Sequence, residues 1–430
     1  MRIFAAFTPR LGAGLVAAAA VLPRLVVLLA ERGNILTAYT EKSDDFARTF
    51  VASGTFGFIP GVPSADTQPL YGWFLIPLYW VFGRHWLVVG LAQIAVATVT
   101  ALLVYAIGLR VVPRLAALAA IVATLNPYLI WHDVHVNREL LDQVALAGLV
   151  LCVLVTVERR TPWLFALTGA LCGVAILGNS RLSAVPLVLA AYVAWLVPGR
   201  RLLAVGAIVL AAVVIVSPWV IRNKVQVGCF AITTDGRALW KANNVNTYHV
   251  LAHGGWIDDV PQQGLPPTPQ DAYERWLATG KIEPVDECAQ MRSFEHKTFV
   301  FWRDHPGEKA KLMAQATQLL WDPRSHETQG RSGKGTWRDT ARRVGEPLYM
   351  IPVYILALIG LFVAPRAFAV LTVLLLAYNT AAAMLFAGTT RYRVPFDFLL
   401  VLLAACAVDR LWSRSRYTRS TPAAAASAEN

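Results

Sequence analysis

The sequence predicts an all-α polytopic membrane protein with about ten transmembrane helices and one small extracytoplasmic segment, α/β or irregular. Three observations carry this. Of 430 residues, 56% are hydrophobic and only 15% charged, where an ordinary soluble domain carries roughly 25% charged. The apolar residues gather in runs close to the roughly twenty residues that cross a bilayer. Arginines punctuate alternate ends of those runs, as topology signals do. Lipid offers no partner to an open backbone group, so the spans must be helical. The net charge of +12 is scattered between apolar runs rather than gathered on one face. Nucleic acid is therefore not an expected partner.

The expected spans are residues 11–30, 85–109, 113–130, 139–157, 163–179, 183–198, 202–221, 346–364, 367–387 and 394–412. The first contains Arg24 and lacks a clear small-residue cleavage site, so it reads as a signal anchor. Residues 69–83 are apolar and aromatic, including Trp73 and Trp80. They read as a helix lying along the membrane interface, the depth that amphipathic aromatics favour. Arg10, Arg110, Arg114, Arg159, Arg160, Arg200, Arg201, Arg366 and Arg410 mark one side as cytoplasmic. The expected division is an N-terminal membrane module over 1–221 with an acidic outer loop at 31–84, an extracytoplasmic domain or cap over 222–345, C-terminal membrane helices over 346–413, and a disordered cytoplasmic tail over 414–430. Cys229 and Cys288 lie in the outer segment, where a disulfide is permitted.

The outer face holds the candidate chemistry. Asp44 and Asp45 follow the first span. Adjacent residues do not share a helix face, so one of the two points into a site. A carboxylate there can take a proton from a hydroxyl nucleophile, hold a divalent cation, or start a helix as a cap together with Ser43. Glu139 opens a span directly after His132, Asp133 and His135, and acids at membrane helix ends are commonly functional. His132 and His135 lie about one helical turn apart, so they are weak metal candidates alongside Asp44 and Asp45; a hydrogen-bonded pair is the plainer reading. Arg48, Arg84, Arg138, Arg181, Arg222, Arg391 and Arg393 run against the positive-inside trend. A guanidinium fork matches phosphate oxygens, so these arginines point to an anionic headgroup. Pairing each with a nearby acid is the simpler alternative for any one of them.

Four stretches then occur in order on one face: Asp44-Asp45-Phe46-Ala47 with Gly54, Gln68 and Pro69-Leu70-Tyr71; Asn126-Pro127-Tyr128 with Arg138-Glu139; Pro218-Trp219-Val220-Ile221-Arg222-Asn223; and Arg391-Tyr392-Arg393-Val394-Pro395. In these the chain resembles the polytopic GT-C glycosyltransferases, in their protein-mannosyltransferase-like and aminoarabinose-transferase-like branch. The resemblance implies a GT-C-like membrane fold and transfer of a sugar from a polyprenyl-phosphate carrier to a lipid, glycan or protein acceptor at the outer face of the bacterial plasma membrane. It implies a catalytic acid at Asp44 or Asp45, and substrate or phosphate contacts among Gln68, Tyr71, Arg138, Glu139, Arg222, Arg391 and Arg393. A divalent cation is compatible with such a site, and no other cofactor is expected. Phe46 stands where the family usually has tyrosine, and residues 237–343 match nothing in it. A transporter or lipid-linked sugar flippase is the alternative class. The charges sit at helix ends, and no paired inverted halves with broken helices appear, which counts against it.

Overall fold

The computed structural model describes residues 9–37, 41–261, 265–283, 285–324 and 337–420. Among the described residues, six helices are long and apolar enough to cross a membrane: α1 (Pro9–Ala30), α4 (Trp86–Val111), α7 (Glu139–Arg159), α10 (Arg201–Gln226), α16 (Trp337–Val363) over its part from Arg342, and α17 (Arg366–Leu385). Between them lie α2 (Lys42–Ser53), α3 (Pro69–Phe82), α5 (Ala116–Thr124), α6 (Pro127–His132), α8 (Pro162–Gly178) and α9 (Val185–Leu196). The outer segment carries α11 (Gly236–Lys241), α12 (Thr247–Ala252), α13 (Pro269–Thr279), α14 (Glu287–Asp304) and α15 (Pro306–Trp321). The chain closes with α18 (Thr390–Arg393) and α19 (Asp397–Ser420).

Of the ten expected spans, six appear among the described residues as full-length apolar helices and the others as shorter or more deeply buried ones. The physical reason is local. The run 113–130 is cut where Asn126 caps α6 and Pro127 takes its first position, since proline disfavours helix in the residue before it. The run 183–198 gives only the twelve residues of α9. In α19, residues 398–404 are buried all round, so that helix is an interior element rather than a lipid-facing one.

The outer segment is helical and irregular. Among the described residues no strand forms, only one isolated bridge between Ile59 and Val62, so the α/β option for this segment is not realised. Its expected edges cut through helices, because α10 runs on to Gln226 and α16 begins at Trp337. Likewise α19 runs to Ser420, into the expected tail; residues 421–430 lie outside the described residues.

One large apolar core joins α1, α4, α5, α7, α8, α9, α10, α16, α17 and α19. Its tightest seams depend on glycine. A Cβ on Gly169 of α8 would lie 2.1 Å from the Ile208 carbonyl of α10, and one on Gly360 of α16 would lie 1.9 Å from the Leu403 carbonyl of α19. Small residues let membrane helices approach backbone to backbone, where packing rather than water supplies the attraction.

Arg24 sits inside α1 and faces the protein interior. Its Nε and Nη2 donate to Asp133 at 2.9 and 2.7 Å, and Thr124 takes a further two bonds. Both charges are buried, so each depends on the other to offset desolvation. Arg24→Met leaves the Asp133 carboxylate uncompensated and is expected to destabilise the protein by about 3–5 kcal/mol. Chemical denaturation in detergent checks this, with Arg24→Met/Asp133→Asn recovering part of the loss; a change under about 1 kcal/mol would show that the pair is not needed.

Candidate active site

The site is built where α2, α3, α7 and α18 meet. Helix α2 begins at Lys42, with Glu41 as its non-helical flanking residue and no side-chain cap bond. This corrects the capping alternative for Ser43 and Asp44, since both already lie within the first turn. Asp44 points toward α3. Its Oδ1 accepts from the Tyr79 hydroxyl at 2.5 Å, and its Oδ2 accepts from Arg84 Nη2 at 2.7 Å. Arg84 Nε reaches the same carboxylate at 3.1 Å. The chain can place Arg84 there because Gly83, at φ 71°, ends α3 in a conformation that favours glycine.

Asp45 turns away from this clamp. It meets Arg48 at 3.2 Å and the Tyr273 hydroxyl of α13 at 3.5 Å. Its side chain is 29% exposed, against 8% for Asp44. Partial burial, then the neighbouring Asp44 charge, pushes the Asp45 carboxyl above its ordinary value. The two aspartates thus occupy opposite situations. Asp44 is saturated with donors, whereas Asp45 keeps an accessible, weakly held carboxylate.

Next to them stands an ionic cluster. Arg391 of α18 bonds Glu41 through Nη2 and Glu139 through Nε. Arg138 donates to Gln68 at 2.8 Å and lies 3.5 Å from Glu139. Burial works against the Arg138 charge, but Glu41 and Glu139 outweigh it and raise its pKa. Gln68 in turn donates to Ser180 at 3.0 Å. Glu41, Arg391, Glu139, Arg138 and Gln68 therefore form one connected cluster that reaches α2 at Glu41, four residues before Asp45.

Other expected contacts are engaged elsewhere. Arg222 donates to the carbonyls of Ser64 at 2.8 Å and Phe56 at 2.9 Å, pinning the outer loop. Arg393 is buried, paired with Asp397 at 3.1 Å and bonded to the carbonyls of Leu320 and Asp322. Tyr71 donates to Gln93 at 2.6 Å and accepts from the Asn137 amide at 2.8 Å. These three make contacts that hold the scaffold together. His132 and His135 each use Nδ1 on a backbone carbonyl, and stack on Tyr128 and Trp131. Among the described residues no three His, Cys, Asp or Glu side chains converge to hold a metal ion, because Asp44 is taken by Arg84 and the two histidines face other partners.

The outer segment is anchored to this region. Cys229 and Cys288 form a disulfide with Cα atoms 5.9 Å apart. Lys42 lies 2.8 Å from both Asp66 and Asp235, so α2, the outer loop and the segment before α11 share one cation. Burial, with one lysine divided between two carboxylates, pushes Asp66 up. Glu287 of α14 accepts from the Ala65 amide at 3.0 Å and from Thr234 at 2.7 Å. Sequence reasoning gave no role to Glu41, Lys42, Tyr79 or Asp66. It counted Arg84 and Arg181 only among arginines on the unexpected side, and that was the one signal available for them.

Residues 65–221 match the sequence profile of the dolichyl-phosphate-mannose-protein mannosyltransferase family. No curated protein matches the chain. Among solved structures, ArnT from Cupriavidus metallidurans bound to undecaprenyl phosphate is similar at 17% identity and a TM-score of 0.43, over 95% of this chain and 80% of that one. The profile match spans α3 to α10, and so includes three of the helices long and apolar enough to cross a membrane.

Tyr79→Phe removes a charge-assisted bond to a buried carboxylate. It is expected to lower stability by about 1.5–3 kcal/mol, seen as a lower melting temperature in detergent; an unchanged melting temperature would mean that Arg84 alone holds Asp44.

Proposed function

We propose that this protein is a membrane glycosyltransferase that moves a sugar from a polyprenyl-phosphate donor to an acceptor hydroxyl or amine. The reaction takes place at the extracytoplasmic face of the bacterial plasma membrane, with inversion at the anomeric carbon. The observation that supports this reading is the partly exposed Asp45 in the first turn of α2, the helix whose flanking residue Glu41 bonds Arg391, in a chain whose residues 65–221 match the mannosyltransferase profile.

Asp45 takes the acceptor proton. The acceptor oxygen or nitrogen forms its bond to the anomeric carbon while the bond from that carbon to the phosphate oxygen breaks. The departing electron pair stays on the lipid phosphate. Arg391 and Arg138 lower the energy of that developing charge, and they act strongly because the site is largely shielded from water. Asp44 is a positioning residue: held by Arg84 and Tyr79, it fixes the first turn of α2 and so the direction of Asp45. Exposed aromatics on α3, Trp73 and Trp80, suit an isoprenoid chain at the interface. The acceptor is a lipid, a glycan or a protein. The disulfide fits an oxidising compartment on the side of the outer segment.

The test is transfer by the purified chain in nanodiscs, using polyprenyl-phosphate sugars and envelope acceptors. Asp45→Asn is expected to lower kcat by about 10²–10⁴ with the melting temperature unchanged, while Asp44→Asn loses both rate and stability. A larger pure rate loss in Asp44→Asn would exchange the two roles, and full activity in the double variant would remove both from the chemistry.

The base must be ionised to act, and the Asp45 carboxyl is raised. Activity is therefore expected to fall with acidification at a pH above the ordinary carboxylate range. Arg48→Met removes a neighbouring cation that favours ionisation, so it should move this limb to higher pH; a limb that stays in place, or moves down, would contradict Asp45 as the base.

A further inference from the structure

Arg391 is fully committed within the protein. One side of its guanidinium holds Glu41 and the other holds Glu139. Beside it is a chamber of about 10 Å³ lined by Asp142, Asn179, Arg181, Tyr378, Arg391 and Tyr392. That volume suits one water molecule and not a phosphate group. Arg181 stacks over the Tyr392 ring, 3.8 Å from its centroid, and its Nε and Nη2 are buried without a hydrogen-bond partner. Glu139 Oε2 is buried and unpartnered as well. Buried donors of this kind are expensive to leave unmade. Arg181 and Arg391 line this chamber together, and Glu41 is paired with Arg391.

We infer that Glu41 occupies the face of Arg391 that the donor phosphate takes, and that the phosphate displaces it and gains Arg181 as a second cation. This rests on the glycosyltransferase reading above. A carboxylate and a phosphate present the same paired oxygens to a guanidinium fork. A sugar phosphodiester and a carboxylate each bring one negative charge, so the exchange leaves the cluster's charge unchanged. After transfer the product is a phosphomonoester with more negative charge, and the return of Glu41 to Arg391 competes it off. Glu41 directly precedes Lys42 at the start of α2. Its release thus loosens the turn that carries Asp44 and Asp45, linking donor arrival to the acid pair. Glu41 is a positioning residue in this scheme, and Arg181 contacts the ligand.

The probe is decaprenyl phosphate, bound to the full chain in nanodiscs. Glu41→Gln removes the competing charge and is expected to bind the probe about tenfold more tightly, as follows when a competing arrangement is removed. Glu41→Asp should stay near wild type, and Arg181→Met should bind about tenfold or more weakly. In transfer assays Glu41→Gln should lower KM for the donor and also lower kcat through slower product release. Unchanged or weaker binding by a folded Glu41→Gln protein overturns the inference. Should that variant not fold, hydrogen exchange on the wild-type chain decides: the probe should speed exchange of the amides at 42–47, and unchanged or slower exchange overturns it. Probe binding with this pattern but no sugar transfer from any polyprenyl-phosphate donor would overturn the glycosyltransferase reading while leaving this inference in place. Transfer with no effect of Glu41 on binding would overturn this inference alone.

Discussion

Charge pairing around Arg391 is the constraint on which the outer half of the structure depends. A single guanidinium near the end of the chain meets Glu41, 350 positions earlier, and Glu139, 252 positions earlier. In a water-poor setting none of these groups can stay charged alone. Satisfying them fixes where α2, α7 and α18 sit relative to one another. Arg138, Gln68 and Ser180 continue the same chain of contacts. The stretch between α1 and α4 is therefore tied to α7 and α18 by charge and hydrogen bonds as well as by apolar packing.

Within that frame two neighbouring aspartates are driven apart in character. Consecutive residues on a helix point in directions about 100° apart, so Asp44 meets α3 and Asp45 meets α13. Arg84 and Tyr79 satisfy the first, and only longer contacts reach the second. Environments that separate two like groups are how a site assigns them different work. Here the separation follows from helical geometry and from the turn at Gly83, which returns Arg84 to α2.

Much of this organisation was legible in the sequence. The long spans were readable because length and apolarity report burial in lipid directly, and Cys229 with Cys288 was readable from their place in the one long polar segment. The run 113–130 misled because a hydropathy window does not register what Asn126-Pro127 does to backbone geometry. The contacts of Arg222 and Arg393 were hidden for a related reason: they include backbone carbonyls at Phe56, Ser64, Leu320 and Asp322, which carry no side-chain signature. Glu41 stayed hidden because its meaning comes from a partner hundreds of residues away. Asp44 and Asp45 stood out as an acidic pair, while their difference in environment required Arg84 and Tyr273 to be placed in space.

The span of the Arg391 bridge also bears on biogenesis. A membrane chain is made and inserted from its N-terminus, so α1 to α10 are in place before residue 391 exists. Glu41 and Glu139 then have only Arg138 near them, without the guanidinium that later bonds both. Lys42 likewise waits for Asp235 to reach the far side. The polar centre is thus assembled by the last part of the chain to arrive, and an arrested or truncated product holds an embedded bundle with an unmade centre. Quality control need only sense that incompletely paired acidic cluster to tell a finished molecule from an unfinished one.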